Sequence, residues 1–370
     1  MSLDLGPLFQ PFSCKSLNLK NRVVMAPMTR NQSPGNVPGE NVAAYYRRRA
    51  EGGVGLLVTE GTTVNHPGAN GYQNVPAFHG EEALAGWRRV VEEVHASGGQ
   101  IVPQLWHVGA IRKEGMEPDP SVPGFSPSGF YAPGKANGKA MTQADIADVV
   151  KAFAEAARDA KALGFDGIEL HGAHGYLIDQ FFWAGTNLRD DEYGGSMAKR
   201  QRFAIEIIEA ARDAVGPDFA IILRYSQWKM QDYDAKLAAT PEELEAFLKP
   251  LSEAGVDIFH ASQRRFWEPE FDGSSLNLAG WTQKLTGKPA ISVGSVGLTE
   301  DFISGTFMSK QNTVEQAGID ELVERMQRNE FDLIGVGRAL LQDPEWLTKV
   351  REGRNEDIEA FSKQSMAVLT

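Results

Sequence analysis

The chain has 370 residues, 42% of them apolar and 38 of them glycine, with 49 acidic against 37 basic side chains and a net charge of −12. That balance suits a loop-rich globular enzyme rather than a disordered or fibrous chain, and it argues against a nucleic-acid partner. The single cysteine, Cys14, excludes an internal disulfide and a cysteine-built cluster, and it fits a reducing, cytoplasmic setting. The N-terminal stretch lacks a basic region and a continuous apolar run, and no apolar run nears the roughly 18 residues of a membrane span. Neither a signal peptide nor a membrane partner is therefore expected.

Short β-branched runs alternate with longer stretches whose apolar residues recur three or four apart, the marks of strands and helices. The first strand is expected at 22–28 with a helix over 41–50, and the second at 54–59 with a helix burying Leu84, Trp87, Val91 and Val94. The third strand is expected at 100–106. After it, residues 110–139 hold five prolines and are read as an irregular insertion. Thr142 and Asp145 resemble a capping box for a helix with Ile146, Val149, Val150, Phe153 and Ala157 inward, closed by Gly164. The fourth strand is placed at 166–170 with a helix near 201–215, and the fifth at 220–224. The next helix opens at Thr240-Pro241-Glu242-Glu243 and should end or kink at Pro250. Strands at 258–261, 290–293 and 333–336, with helices near 318–328 and 344–352, complete eight units.

Unbroken alternation of this kind predicts the α/β class and one (β/α)8 barrel domain over 1–370, with loop insertions at its C-terminal face. Segments 264–280 and 298–317 are expected to cap that face.

Chemistry in such a barrel sits where strands end. The seventh strand runs into Gly294 and Ser295, and the eighth into Gly337 and Arg338. Glycines admit an anion close to the backbone and the arginine adds a fork of donors, so a phosphorylated ligand is implied. The fourth strand leads into His171, His174 and Tyr176. Two imidazoles can grip a carbonyl or nitro oxygen, and a phenol can give a proton to a carbanion. No third ligand stands near the histidines, and no metal is expected. Arg224 ends the fifth strand, Thr29 follows the first, and Gln104 and Trp106 share one face of the third.

These pieces resemble the Old Yellow Enzyme family of FMN-containing oxidoreductases. The motifs are LKNRVVMAPMTR (19–30), TEG (59–61), GYQNVP (71–76), PQLWHVG (103–109), HGAHGYLIDQFF (171–182), NLRDDEYGGS (187–196) and VGRALLQDPEW (336–346). The resemblance implies FMN held non-covalently in the mouth of a (β/α)8 barrel, NAD(P)H as reductant, and a small activated alkene (enone, maleimide or nitroalkene) as acceptor. Nitro compounds or nitrate esters are the alternative on the same site. It implies that Thr29 bonds flavin O4, that Gln104 meets the pyrimidine edge, and that Arg224 faces N1 and O2, with Ala26, Pro27 and Gly61 along the ring. Gly294, Ser295, Gly337 and Arg338 would hold the phosphate. His171 and His174 would grip the acceptor's oxygen while hydride passes from flavin N5 to Cβ and Tyr176 protonates Cα. Tyr72 and Trp106 would shape the substrate side.

Thr29 stands where one branch of that family has cysteine. Met197-Ala198-Lys199-Arg200 replaces the usual Glu-Asn-Arg, and Gly294-Ser295 a common glycine pair. Segments 227–240 and 264–273 match no family motif; Phe266 and Trp267 in the latter either touch substrate or bury themselves under the loop. A flavin-free aldolase or isomerase barrel would need a lysine or carboxylate base at a strand end, and none is convincing. A monomer or a homodimer is compatible with all of this.

Overall fold

In the computed structural model, which describes residues 4–297 and 317–370, eight parallel strands hydrogen-bond into a closed ring. They are β1 Val23–Met25, β2 Leu56–Thr63, β3 Gln100–Trp106, β4 Gly167–His174, β5 Ala220–Lys229, β6 Ile258–Ser262, β7 Ala290–Val293 and β8 Leu333–Val336. Consecutive strands are neighbours; β8 returns to β1, and β3 meets β4 through Gln104 opposite Glu169. A principal helix follows each strand: α1 Glu40–Glu51, α2 Glu81–Ala96, α3 Gln143–Leu163, α4 Arg202–Val215, α5 Pro241–Ala254, α6 Leu278–Thr286, α7 Ala317–Gln327 and α8 Trp346–Glu352. This is the expected (β/α)8 barrel. Among the described residues no helix is long and apolar enough to cross a membrane.

Three strands, β3, β7 and β8, fall on the expected residues, whereas β4 and β5 run beyond them. The expectation stopped each where its apolar run stopped. Pairing continues through polar residues, with His171 opposite Arg224 and Gly172 opposite Tyr225, then a bulge, then His174 opposite Lys229. His171 and His174 thus lie on the strand itself rather than past its end. Likewise α5 passes through Pro250 and ends at Ala254 rather than at the proline.

Local signals in α3 act as read. Thr142 Oγ1 accepts from the Asp145 N–H, Asp145 accepts from the Thr142 N–H, and Gly164 closes the helix at φ 89°. Of the expected capping segments, 264–280 is loop until α6 begins at Leu278, and 298–317 lies outside the described residues apart from its last position.

One element has no counterpart in the sequence reading. Phe12–Cys14 and Leu17–Leu19 form an antiparallel hairpin. Its Phe12, Leu17 and Leu19 pack with Val24, Leu56, Val58, Val102, Ala220, Ile222, Ile258, Ile291 and Leu333, plugging the barrel's lower end with an inner core. Side chains alternate faces along a strand, so each strand that contributes to this core presents its next inward residue one layer higher. Above Val102 on β3 stand Gln104 and Trp106, with Glu169 on β4 opposite Gln104; one inward step above Ile222 on β5 and Ile258 on β6 stand Arg224 and His260, opposite each other.

The proline-rich stretch 110–139 contains the end of a 3-10 turn, Gly109–Ile111, and otherwise fragments of sheet, Phe125–Ser126, Phe130–Ala132, Lys135–Ala136 and the start of Lys139–Ala140. A buried cation organises it. Arg112 is fully buried and donates to five main-chain carbonyls, of Asn70, Met116, Glu117, Asp119 and Val122, at 2.5–3.1 Å. Removing the guanidinium takes this donor from all five, and among the described residues only the Asp119 carbonyl keeps another, the Val122 N–H. Arg112→Ala is accordingly expected to lower the unfolding free energy by about 3 kcal/mol or more, read from urea denaturation.

Candidate active site

A cavity of about 460 Å³ opens at the C-terminal mouth of the barrel, within the range of cofactor and ligand sites. It is lined by Ala26, Pro27, Thr29, Tyr72, Gln104, Trp106, His171, His174, Tyr176, Arg224, Gly294, Ser295, Gly337 and Arg338, all singled out from the sequence. Three others are not on its wall. Gly61 stands behind Trp106, where a Cβ would come within 2.5 Å of the indole, so glycine there serves ring packing. Phe266 is fully buried in the outer core with Trp267 packed edge-on against it at 5.2 Å. Of the two readings of these aromatics, burial under the loop is the one observed.

The floor is polar. Gln104 Nε2 donates to Glu169 Oε1 at 2.8 Å, and His260 Nδ1 meets Glu169 Oε2 at 2.6 Å, with Glu169 and His260 fully buried. Beside them Arg224 is buried with no partner at Nε. Burial presses its pKa down and the Glu169 carboxylate pushes it back up; a guanidinium stays charged. At the β7 end, Gly294 at φ 153° and Ser295 at φ 55° turn the chain in succession, a conformation in which N–H groups can converge on an anion. A Cβ on Gly294 would meet the Gln263 carbonyl at 2.8 Å. The Arg338 guanidinium lies over the Phe361 ring, 5.7 Å from its centroid.

The two histidines are held by different partners. His171 Nδ1 accepts the Ala173 N–H at 3.4 Å, leaving its proton on Nε2. His174 sits at φ 65°, its N–H bonded to Ser226 Oγ. Arg224 Nη2 donates to Ser262 Oγ at 3.4 Å, and the same hydroxyl is hydrogen-bonded to His174 Nε2 at 2.7 Å. Burial, then the Arg224 charge, holds both far below the usual histidine pKa, and both are neutral. Tyr176 is pushed well above 10 by burial and by Tyr72, whose hydroxyl lies 3.1 Å from its own, so the phenol keeps its proton.

Sequence reasoning missed Trp228, Tyr233 and Ser262 on this wall. The signal was present for two of them: Arg224, Ser226 and Trp228 are two apart on β5, as are His260 and Ser262 on β6. Phe361 and Met366 gave none, because a distant segment folds back over the mouth. It is tied down by Arg30 to the carbonyls of Ser365 and Val368, and by Arg48 to that of Leu369.

The sequence model of the NADH:flavin oxidoreductase / NADH oxidase family matches residues 7–357. The chain belongs to this family. Among its flavin oxidoreductase relatives, 12-oxophytodienoate reductase 7 of Oryza sativa subsp. japonica is 33% identical over 94% of this chain and 88% of its own. NADH oxidase of Thermoanaerobacter brockii is 34% identical over 95% of this chain and 52% of its own. Morphinone reductase, solved in complex with tetrahydroNAD, superposes with a TM-score of 0.81 at 28% identity, over 97% of this chain and 93% of its own. The protein is thus an Old Yellow Enzyme-like flavin oxidoreductase, with FMN as cofactor and a nicotinamide as reductant.

The cavity of this flavin oxidoreductase fits FMN on its own terms. The unpartnered Arg224 Nε and the equally unpartnered, buried Trp106 indole N–H are donors awaiting an acceptor-rich ligand, and the Gly294 turn is a cradle that a side chain would fill.

Six of the seven histidines, His66, His79, His107, His171, His174 and His260, have folded pKa values lowered first by burial. The unfolded chain therefore binds more protons below about pH 6.5, and stability present above that pH is lost as pH falls through it. Glu60, raised to about 7, Glu270, raised to about 6, and His95, raised by Asp166, act with the opposite sign but are fewer. The thermal midpoint is expected to drop between pH 7 and pH 5.5 in calorimetry; a flat or rising profile contradicts this balance.

Proposed function

We propose that this protein is an ene-reductase: the nicotinamide reduces bound FMN, and the reduced enzyme delivers hydride to the β-carbon of an enone, maleimide or nitroalkene. FMN, when bound, supplies the two-electron carrier between the two substrates. In this reading Gln104 and Arg224 hold the pyrimidine side of the ring, Thr29 its O4, and Ala26 and Pro27 its edge, while Gly294, Ser295, Gly337 and Arg338 take the phosphate. A fixed guanidinium at the pyrimidine side favours negative charge there.

The observation that carries the proposal is one cluster of three rings. His171 and His174 lie 5.2 Å apart centroid to centroid, Tyr176 lies 4.9 Å from His171, and all three border the same cavity. Two neutral imidazoles, each with one N–H, bind an oxygen without bringing charge of their own. They draw electron density from the conjugated double bond and stabilise the enolate that forms. Tyr176 holds its proton until a strong base appears at Cα, and Tyr72 at 3.1 Å can replenish it from the half-exposed side. Two such N–H donors also suit the paired oxygens of a nitro group, which supports nitro compounds or nitrate esters as a second class of acceptor.

Tyr176→Phe is expected to slow alkene reduction by about 10²-fold or more while leaving flavin reduction by nicotinamide intact. Stopped-flow measurement of the two half-reactions checks this, and equal loss in both defeats the assignment. Arg224→Met is expected to weaken FMN binding to the apoprotein by about tenfold or more, the worth of one charged hydrogen bond in fluorescence titration.

A further inference from the structure

Each histidine at the acceptor site is the inner ring of a stack. On one side Tyr72, Trp106 and His171 lie nearly parallel, at 5.4 and 6.1 Å. On the other, Trp228 stacks on His174 at 4.6 Å and Tyr233 on Trp228 at 5.4 Å, both with 26° between planes. The two histidine planes are 87° apart, so the stacks form two perpendicular aromatic walls. The second wall comes from the extension of β5 and the segment after it, which no family motif describes.

We propose that Trp228, backed by Tyr233, is a positioning and specificity residue: it fixes the plane of the His174 imidazole and turns toward the cavity an aromatic edge that favours acceptors carrying an aromatic ring conjugated to the reducible bond. The positioning half rests on connected bonds. Ser226 Oγ accepts the His174 N–H at 3.0 Å and donates to the Trp228 carbonyl at 2.6 Å. Ser262 contacts His174 Nε2 through its hydroxyl and accepts the Trp228 indole N–H on its carbonyl at 3.2 Å. Thus the same two serines seat both the imidazole and the ring stacked on it. His174 itself has a positive φ, which a β-strand does not hold without such support.

The specificity half follows from what Trp228 has left to offer. One ring on each stacking contact occupies its faces, and it still borders the cavity. Its remaining C–H edge is the positive part of the ring quadrupole and attracts the face of another aromatic ring. An aliphatic β-substituent gains no such contact. The inference deepens the ene-reductase reading and rests on it.

The test compares 4-phenyl-3-buten-2-one with 3-penten-2-one, which differ by phenyl against methyl at the β-carbon, on the FMN-loaded wild type, Trp228→Phe, Trp228→Ala and Trp228→Leu. The wild type is expected to favour the phenyl substrate. Trp228→Ala is expected to lower that preference in kcat/KM about two- to tenfold, mainly through KM, with Trp228→Phe restoring most of it. The dissociation constant of 4-hydroxybenzaldehyde, followed by flavin absorbance, rises in parallel as the His174 plane loosens. A purely structural role slows both substrates alike, and an unchanged ratio in an FMN-loaded variant overturns this inference alone. Where Trp228→Ala fails to retain FMN, Trp228→Leu, which keeps an apolar side chain there but removes the aromatic edge, decides by the same ratio. A wild type that takes up no FMN overturns the ene-reductase reading and this inference with it.

Discussion

A barrel strand cannot choose its faces independently. Once Val102 is committed to the inner core, Gln104 and then Trp106 must point inward above it, and the same holds for Ile222, Arg224 and Ser226, or Ile258, His260 and Ser262. The packing that closes the lower end, completed by the hairpin side chains Phe12, Leu17 and Leu19, therefore also sets the height of every group at the upper end. A one-residue slip in any strand would send both its core and its site residue outward.

Between the apolar plug and the cavity lies a thin polar layer whose charges are balanced before any ligand arrives. Glu169 accepts from Gln104 and is bonded to His260, and its charge opposes the desolvation of Arg224. With the carboxylate held by these contacts, the Arg224 guanidinium is the charge that this layer turns to the cavity. It also helps to keep His171 and His174 neutral. One buried cation thus sets two conditions at once, a positive field at the floor of the cavity and two uncharged imidazoles on its wall.

How much of this was legible in the sequence follows from the kind of signal each part leaves. Apolar runs located all eight strands, and cap residues such as Thr142 and Gly164 fixed helix ends, because both are local. Strand ends at β4 and β5 were misplaced because cross-strand pairing carried polar residues such as His171 and Ser226 into the sheet. The hairpin at 12–19 was overlooked since three-residue strands have almost no periodicity. Most wall residues were found through motif and position, whereas Phe266 and Trp267 left two readings open, substrate contact or burial, because exposure is a property of the tertiary fold. Trp228 and Ser262 were readable in principle from the period of two, once the strands are known to continue.

The segment carrying Phe361 and Met366 is fastened through its peptide carbonyls, gripped by Arg30 and Arg48 from the body of the barrel. A clasp of that kind is blind to side-chain identity. Met366, exposed at the mouth, can therefore drift through mutation without loosening the clasp, whereas Phe361 is also held by packing against Leu341 and by the Arg338 guanidinium over its ring. Evolution can retune the entrance while the interior wall stays untouched.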